Sequence, residues 1–225
     1  MLLVADMVTK GSRVCDVGCD HGYVSIYLYL TGRASSCIAA DIRKGPLEAA
    51  VKNIALYGAA DGIETRLGSG LTVIKPHEAE SVIIAGMGGN TIISILKEAP
   101  DVCESAKELI LEPQSEITEV RRYIYSAGFT IVREDMVTEE GKYYPIIKAV
   151  HAAKAETVSD TEMEFGPCLL KDKNEVLKEF LLKRKGWLEK MSAELVNNKS
   201  PKAAKRYGEL KEEMKILCKG LEYYD

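Results

Sequence analysis

The chain has 225 residues, of which 46% are hydrophobic and 28% are charged, and its formal net charge is −4. This size suits one ordinary domain with a small appendage. No stretch approaches the roughly 18 uncharged apolar residues of a membrane-spanning helix, and an acidic residue comes too early for a signal peptide. The six cysteines form no Cys-x-x-Cys pair and no zinc spacing, so we expect reduced thiols, no metal and a cytoplasmic protein. The net charge gives no support to nucleic-acid binding by bulk electrostatics.

From residue 13 the chain alternates short apolar runs with amphipathic stretches, which predicts strands and helices in turn. We predict βα units whose strands occupy residues 13–17, 36–42, 63–67, 81–85 and 109–111. Helices are expected at residues 23–30, 46–58 and 90–97, and from an N-cap at Ser115 to Ala127.

The last two predicted strands, Phe129–Val137 and Tyr143–Val150, are close enough in sequence to form an antiparallel hairpin. Five βα units followed by a β-hairpin describe an α/β, Rossmann-like sheet that is mostly parallel. A dinucleotide-binding domain has no reason to end in such a hairpin, whereas a class I methyltransferase sheet does.

After about residue 157 the pattern changes to two amphipathic helices, at 174–195 and 202–219, joined by a turn at 197–201. Their apolar residues recur three, four or seven positions apart. This spacing predicts an antiparallel helical hairpin, a small coiled coil.

The first βα connection, Asp16-Val17-Gly18-Cys19-Asp20-His21-Gly22, has the acids and glycines of a site for a nucleotide-like ligand. Gly18 and Gly22 let the backbone pass close beneath a ligand at the start of a helix. A dinucleotide fingerprint would place its second glycine where Asp20 stands, and a carboxylate there would repel a pyrophosphate. S-adenosylmethionine (SAM) instead carries a sulfonium and an ammonium, which Asp16 or Asp20 would attract. The alternative is a strand-to-helix turn whose acids are incidental.

Further predicted cofactor contacts follow the next strands. Asp41 ends the second strand, where a carboxylate can accept hydrogen bonds from both ribose hydroxyls, unless it only serves the next helix N-terminus. Ser69 follows the third strand, where the adenine edge would lie, although an acidic residue is common there in methyltransferases. His21 would contact the cofactor or the acceptor, or be only a polar loop residue. The predicted cofactor-binding residues are Asp16, Gly18, Asp20, His21, Gly22, Asp41, Ile42, Ser69, Gly86, Met87 and Gly88.

The loop after the fourth strand, Gly86-Met87-Gly88-Gly89-Asn90, lacks the Asn/Asp-Pro-Pro-aromatic motif common in methyltransferases of exocyclic amines. A loop so poor in side chains leaves space for a flat acceptor, such as a nucleobase turned out of its stack. The alternative is that its glycines only allow the helix to pack tightly on the sheet.

These motifs resemble the bacterial tRNA (adenine-22-N1)-methyltransferases. The resemblance rests on Asp16–Tyr23, Ile84–Gly89, Leu111–Gln114, Ala127–Phe129 and Glu140–Tyr144, and it covers about residues 14–150. It implies a Rossmann-like catalytic domain with a C-terminal coiled coil, SAM as the methyl donor with S-adenosylhomocysteine as the product, and tRNA as the acceptor.

The chain departs from this family pattern at four places. Ser25 stands where proline is frequent, and Glu112 and Gln114 replace an expected Gln and Asn. The resemblance also implies an extra N-terminal helical segment, and we expect this chain to start inside it.

Methylation at adenine N1 needs no base beforehand, because the neutral ring nitrogen carries a lone pair and no proton. The site must hold N1 in line with the donor methyl group and accept hydrogen bonds from the N6 amino group. The predicted catalytic residues are Asp20, Asn90 and Glu112, with the Gly86 carbonyl as a further acceptor. Tyr143 or Tyr144 would stack on the base or be packed strand residues.

Residues 151–225 hold 15 basic against 14 acidic side chains, and the bases are clustered. The predicted RNA-binding residues are Lys183, Arg184, Lys185, Lys202, Lys205 and Arg206. The alternative is a solvated helical face. We therefore predict a SAM-binding catalytic domain at residues 1–155 and an RNA-gripping helical hairpin at 156–225. Two other functions stay open at this point, methylation of a small molecule or another RNA, and a non-catalytic SAM-binding interaction module; the oligomeric state is also open.

Overall fold

The computed structural model describes residues 2–154, 157–196 and 200–225. The strands are β1 Ser12–Val17, β2 Ala34–Asp41, β3 Ile63–Leu67, β4 Ser81–Met87, β5 Glu108–Pro113, β6 Phe129–Glu139 and β7 Lys142–His151. The helices are α1 Leu2–Met7, α2 Tyr23–Leu30, α3 Lys44–Leu56, α4 Gly89–Glu98, α5 Pro100–Ser105, α6 Ile117–Ser126, α7 Asp160–Phe165, α8 Pro167–Lys171, α9 Glu175–Leu195 and α10 Pro201–Leu221, with a 3₁₀ turn at Glu222–Tyr224.

The strands form one sheet in the order β3-β2-β1-β4-β5-β7-β6. β1 pairs in parallel with both β2 and β4, β2 with β3, and β4 with β5, whereas β7 runs antiparallel to β5. Only two residues connect β6 to β7, which is enough for a hairpin and far too few for a parallel crossover. The predicted fold class is confirmed.

The strand order reverses between β1 and β4, because β2 and β3 lie on one side of β1 and the later strands on the other. In open α/β sheets, ligands bind outside the carboxyl ends of the strands at such a switch point. The topology therefore predicts a ligand site at the loops that follow β1, β2 and β4.

The described residues of 1–133 and 144–156 form one compact unit. Its central strands are apolar on both faces, since Val82, Ile83 and Ile84 in β4 have no exposed surface. Helices cover both faces of a parallel sheet, so such strands read as continuous hydrophobic runs. All six cysteines are free, and Cys15 and Cys37 are buried as the sequence predicts.

The described residues of 134–143 and 157–225 form a second compact unit. Its core includes Leu181 and Leu188 from α9 and Leu210 and Leu217 from α10. The Tyr224 hydroxyl donates to the Asn174 carbonyl at 2.9 Å, while Arg184 in mid-α9 pairs with Glu213 in α10. These contacts join the start of α9 to the end of the chain, so the two helices are antiparallel.

Several local predictions differ from the structure. Ser115 is not the N-cap of α6; Glu116 occupies that position with a left-handed φ of 48° and no side-chain cap bond. The short helices α1, α5, α7 and α8 were not predicted, because five or six residues are too few to show a helical period. The predicted domain boundary at 155/156 and turn residues 197–199 lie outside the described residues. Within the described residues, no helix combines the length and the apolar composition needed to cross a membrane.

Candidate active site

A cleft of about 720 Å³ opens at the carboxyl ends of β1, β2 and β4. Seven of the predicted cofactor-binding residues line it, namely Gly18, Asp20, Asp41, Ile42, Ser69, Gly86 and Met87. The sequence prediction missed other lining residues, among them Arg43, Gly70, Thr91, Ser94, Ile95 and Glu98. Of the predicted set, Asp16, His21, Gly22 and Gly88 are not among the described residues that line this cleft.

The loop after β1 has the backbone geometry that its glycines permit. Gly18 has a φ of +72°, and a Cβ there would lie 2.2 Å from Cε of Met87. Its N–H donates to the Ala40 carbonyl at 2.8 Å, which fixes the loop to the end of β2. A side chain at residue 18 would therefore close the floor of the cleft.

Asp41 lines the cleft, and its side chain is buried. The Asp20 N–H donates to Oδ2 at 3.2 Å, and the Arg43 N–H donates to Oδ1 at 2.8 Å. The Arg43 guanidinium is 3.6 Å from Asp41 and 3.8 Å from Asp20. Each carboxylate oxygen retains a second lone pair, so the oriented group can still accept from two hydroxyls.

Asp20 has a left-handed backbone with a φ of 49°, and its side chain is more than half exposed. Its carboxylate lies 3.6 Å from Nε2 of His21, whose ring stacks near Tyr23 with centroids 6.1 Å apart. Of the two acids proposed to attract a cationic ligand, Asp20 is therefore the one that lines the cleft.

Asp16 is instead buried beneath the loop, where the Ser25 hydroxyl donates to its Oδ2 at 2.8 Å. Burial raises the pKa of Asp16 to about 6; the bond from Ser25 lowers it, and the nearby Asp41 charge raises it. Asp16 can influence a bound cation through the field of its charge.

β4 ends at Met87, two residues later than predicted, and its last residues and the start of α4 are held by the end of β5 and the loop after it. The Gly86 N–H donates to Oε2 of Glu112 at 2.8 Å, the Gln114 N–H donates to the Met87 carbonyl at 2.8 Å, and the Gly89 N–H donates to the Ser115 carbonyl at 3.0 Å. These three bonds fix the path of the backbone from Gly86 to the start of α4.

Two glycines of this loop have different roles. A Cβ at Gly89 would lie 2.5 Å from the Ser115 carbonyl oxygen, so this glycine allows close packing. Gly86 has a φ of +73°, and a Cβ there would have no described heavy atom nearer than 3.9 Å, so this glycine provides conformation and open space. Close packing therefore explains the glycine at residue 89, and the space for an acceptor beside Gly86 stays a prediction.

The three predicted catalytic residues have different surroundings. Asp20 lines the cleft, Glu112 holds the Gly86 amide, and Asn90 is an exposed residue in the first turn of α4. Tyr143 packs edge-on against Phe180 with ring centroids 5.1 Å apart. This contact favours the alternative that Tyr143 is a packed strand residue rather than one that stacks on the base.

The predicted RNA-binding residues divide into paired and unpaired side chains. Lys183 pairs with Glu179 at 2.6 Å, Arg184 with Glu213, and Arg206 with Glu209 at 2.9 Å. Among the described residues, no ion pair is recorded for Lys185, Lys202 or Lys205.

The strand order with its final antiparallel hairpin, and a cleft with oriented carboxylates at the switch point, define a class I SAM-dependent methyltransferase. Comparison with known proteins narrows this class. The sequence model of the tRNA (adenine(22)-N(1))-methyltransferase family matches residues 14–219, and the chain belongs to this family.

Individual relatives agree with the family match. The chain is 34% identical over 178 residues to the tRNA (adenine(22)-N(1))-methyltransferase of Bacillus subtilis, covering 77% of this chain and 74% of that protein. A crystal structure of a Streptococcus pneumoniae tRNA (m1A22) methyltransferase, described as putative, in complex with SAM has a TM-score of 0.85 at 30% identity, covering 98% and 97% of the two chains. A Mycoplasma capricolum relative bound to S-adenosylhomocysteine has a TM-score of 0.85 at 26% identity, covering 99% and 96%.

Proposed function

We propose that this protein transfers the methyl group of SAM to N1 of adenine 22 in tRNA. The observation that carries the proposal is the cleft at the switch point, where the Asp41 carboxylate is oriented by two backbone N–H groups beside the open Gly86 loop. Family membership supplies the acceptor and the position.

The cleft residues fit SAM. Its volume of about 720 Å³ is in the range of small-molecule sites. Its described lining has three acidic side chains, Asp20, Asp41 and Glu98, against the one basic side chain of Arg43. Asp41 would accept from the ribose hydroxyls, Gly18 would lie beneath the amino-acid part, and Ile42 with Ser69 would border the adenine. When bound, SAM supplies a methyl group on a positively charged sulfur.

The acceptor side requires placement more than proton transfer, because adenine N1 carries no proton. The Gly86 carbonyl and the Asp20 carboxylate are candidates to accept from the N6 amino group as positive charge develops. Glu112 would act by holding the Gly86 amide, and Asn90 would contact the base or the adjoining ribose from the first turn of α4.

We place RNA binding on the helical hairpin, as the appendage of the catalytic domain at residues 1–155. The best candidates to bind RNA are Lys185, Lys202 and Lys205. The other three predicted residues, Lys183, Arg184 and Arg206, already have carboxylate partners. A protein acting on tRNA, with six free cysteines, fits the cytoplasm.

Incubation of the protein with labelled SAM and an unmodified tRNA, followed by nucleoside analysis, tests the activity. We expect 1-methyladenosine with the normal tRNA and none with a tRNA that carries guanine at position 22. Methyl transfer to that control, or none at all despite measured SAM binding, would overturn the proposal, the latter in favour of a non-catalytic module.

A charge-reversal pair tests the RNA surface. Lys202→Glu with Lys205→Glu should weaken tRNA binding and reduce the slope of log affinity against log salt by about 2. The matched control, Lys10→Glu with Lys52→Glu, changes net charge equally at exposed positions of the other unit. Equal effects of the two pairs would contradict a specific role for the hairpin.

A further inference from the structure

One face of α4 forms a wall of the cleft, and the proposed contacts to SAM and to the acceptor base do not use this face. Thr91, Ser94, Ile95 and Glu98 are spaced by three, four and seven residues, so they share this face, and all four line the cleft. The helix begins beside the Gly86 loop and leads away from it. Glu98 therefore lies about 10 Å further along the helix axis than Thr91.

The far end of this wall faces the loop after β3. A Cβ at Gly70 would lie 2.9 Å from Cγ2 of Ile95, so the backbone of that loop is in contact with α4 at this point. Ser94 and Glu98 adjoin Ile95 on the same helix face. They thus belong to the end of the cleft where Ser69 borders the proposed adenine site.

Glu98 brings a carboxylate to this end. It is exposed at the cleft surface, and the hydrogen bond recorded for it comes from the Ser94 hydroxyl at 3.4 Å. Among the described residues, no ion pair is recorded for it. A carboxylate only accepts hydrogen bonds, and the 6-amino group of adenine is a donor. Ser69 and Gly70 of the loop after β3 line the cleft, and neither has a carboxylate, so Glu98 provides an acidic acceptor at this end.

We propose that Glu98 accepts a hydrogen bond from the 6-amino group of the cofactor's adenine and thereby selects against 6-oxopurine ligands. Ser94 orients the carboxylate from the preceding turn. A 6-oxo group would present lone pairs to the carboxylate, and an unmet pairing of this kind discriminates more strongly than a change of size. The proposal rests on the proposed SAM-dependent function.

Isothermal titration with two product analogues, without tRNA, tests this role. S-adenosylhomocysteine carries the 6-amino group, and S-inosylhomocysteine carries a 6-oxo group in its place. The wild-type protein should bind the adenosyl compound at least about tenfold more tightly, as expected for a hydrogen bond to a charged group. Glu98→Ala should reduce this ratio to about twofold, mainly through weaker binding of S-adenosylhomocysteine. Glu98→Gln should shift the preference toward the inosyl compound, because its amide can donate to O6.

Glu104→Ala on the neighbouring helix α5 is the matched control, since it removes an exposed carboxylate that does not line the cleft. It should leave the ratio unchanged. If Glu98→Ala keeps the wild-type ratio of the two affinities, the proposal is overturned. Failure of the wild-type protein to bind S-adenosylhomocysteine at all would overturn the proposed function together with this inference.

Discussion

The Ser25 hydroxyl donates a 2.8 Å hydrogen bond to Oδ2 of Asp16, and both residues are buried beneath the cofactor loop. The bond opposes the effect of burial, which raises the pKa of Asp16 to about 6. Cofactor binding by this chain should therefore depend on pH through Asp16.

Ser25→Ala should raise the pKa of Asp16 further, because it removes a bond that lowers it. SAM carries a sulfonium cation, which favours the ionised carboxylate, so its affinity is lost as the pH falls through this pKa. We expect SAM binding, measured without tRNA, to weaken about threefold to tenfold near pH 6 and less than about twofold at pH 8.5. Titration calorimetry from pH 5 to 9 measures the shift.

Asp16→Asn is the control for this profile, since it removes the titrating group and should flatten the dependence around pH 6. The contribution of Asp16 to folding has the opposite sign: a carboxyl whose pKa is raised from 3.8 to about 6 stabilises the fold fully below the lower value and loses this contribution as the pH rises through the higher one. A Ser25→Ala profile that superimposes on the wild type would show that the bond does not act on the ligand.

Glu112→Ala should lower kcat about tenfold to a hundredfold while changing the KM for SAM by less than about threefold. The reason is that Glu112 holds the Gly86 amide on the acceptor side of the cleft. Glu112→Gln retains an oxygen that can accept from this amide, so its kcat should stay near the wild-type value. Equal losses in both variants would indicate that the charge itself acts on the base, and single-turnover assays with tRNA distinguish these outcomes.

Gly86→Ala and Gly89→Ala should have separable effects. An alanine at residue 89 would place Cβ 2.5 Å from the Ser115 carbonyl oxygen, so thermal unfolding should shift to markedly lower temperature. An alanine at residue 86 meets open space but has a φ of +73°, which costs about 1–2 kcal/mol. That variant should remain folded and lose methyl transfer. Comparable unfolding temperatures for both variants would contradict the division of roles.

Lys148→Met should destabilise the fold by about 3 kcal/mol, because it leaves the buried Glu108 carboxylate without its cation. Lys148 Nζ lies 2.7 Å from Glu108 and also donates to the Met7 carbonyl at 2.8 Å. Burial would raise the pKa of Glu108, but the bonds from Lys148 and Thr9 outweigh it and lower the pKa. The wild-type stability from this pair is present above the ordinary carboxyl pKa of 4.5 and is lost as the pH falls below it.

Denaturant unfolding at pH 7 and pH 4 measures this contribution. The double variant Glu108→Leu with Lys148→Met removes both charges and should recover most of the lost stability. If the double variant is as unstable as Lys148→Met alone, the loss comes from packing rather than from the unpaired charge.

The helices and strands that have strong local sequence patterns could be predicted from the sequence, including the bounds of some of them. Helix Tyr23–Leu30 and strand Ile63–Leu67 have the predicted bounds, because flanking glycines mark the ends of such short segments locally. The final hairpin also follows from local spacing. These features together distinguish a methyltransferase sheet from a dinucleotide-binding one. The fold class and the methyl donor could therefore be predicted from the sequence.

Tertiary structure decided which residues share the cleft. The sequence offered Asp16 and Asp20 as equal candidates, but the fold buries Asp16 against Ser25 and leaves Asp20 at the cleft surface. Glu112 contacts the amide of Gly86, 26 residues earlier. The α4 wall ending at Glu98 belongs to the site only because the sheet order places that helix beside the loop after β3. Strand patterns fix which residues are buried along one element, whereas contacts between elements depend on strand order and register, which no single local pattern carries.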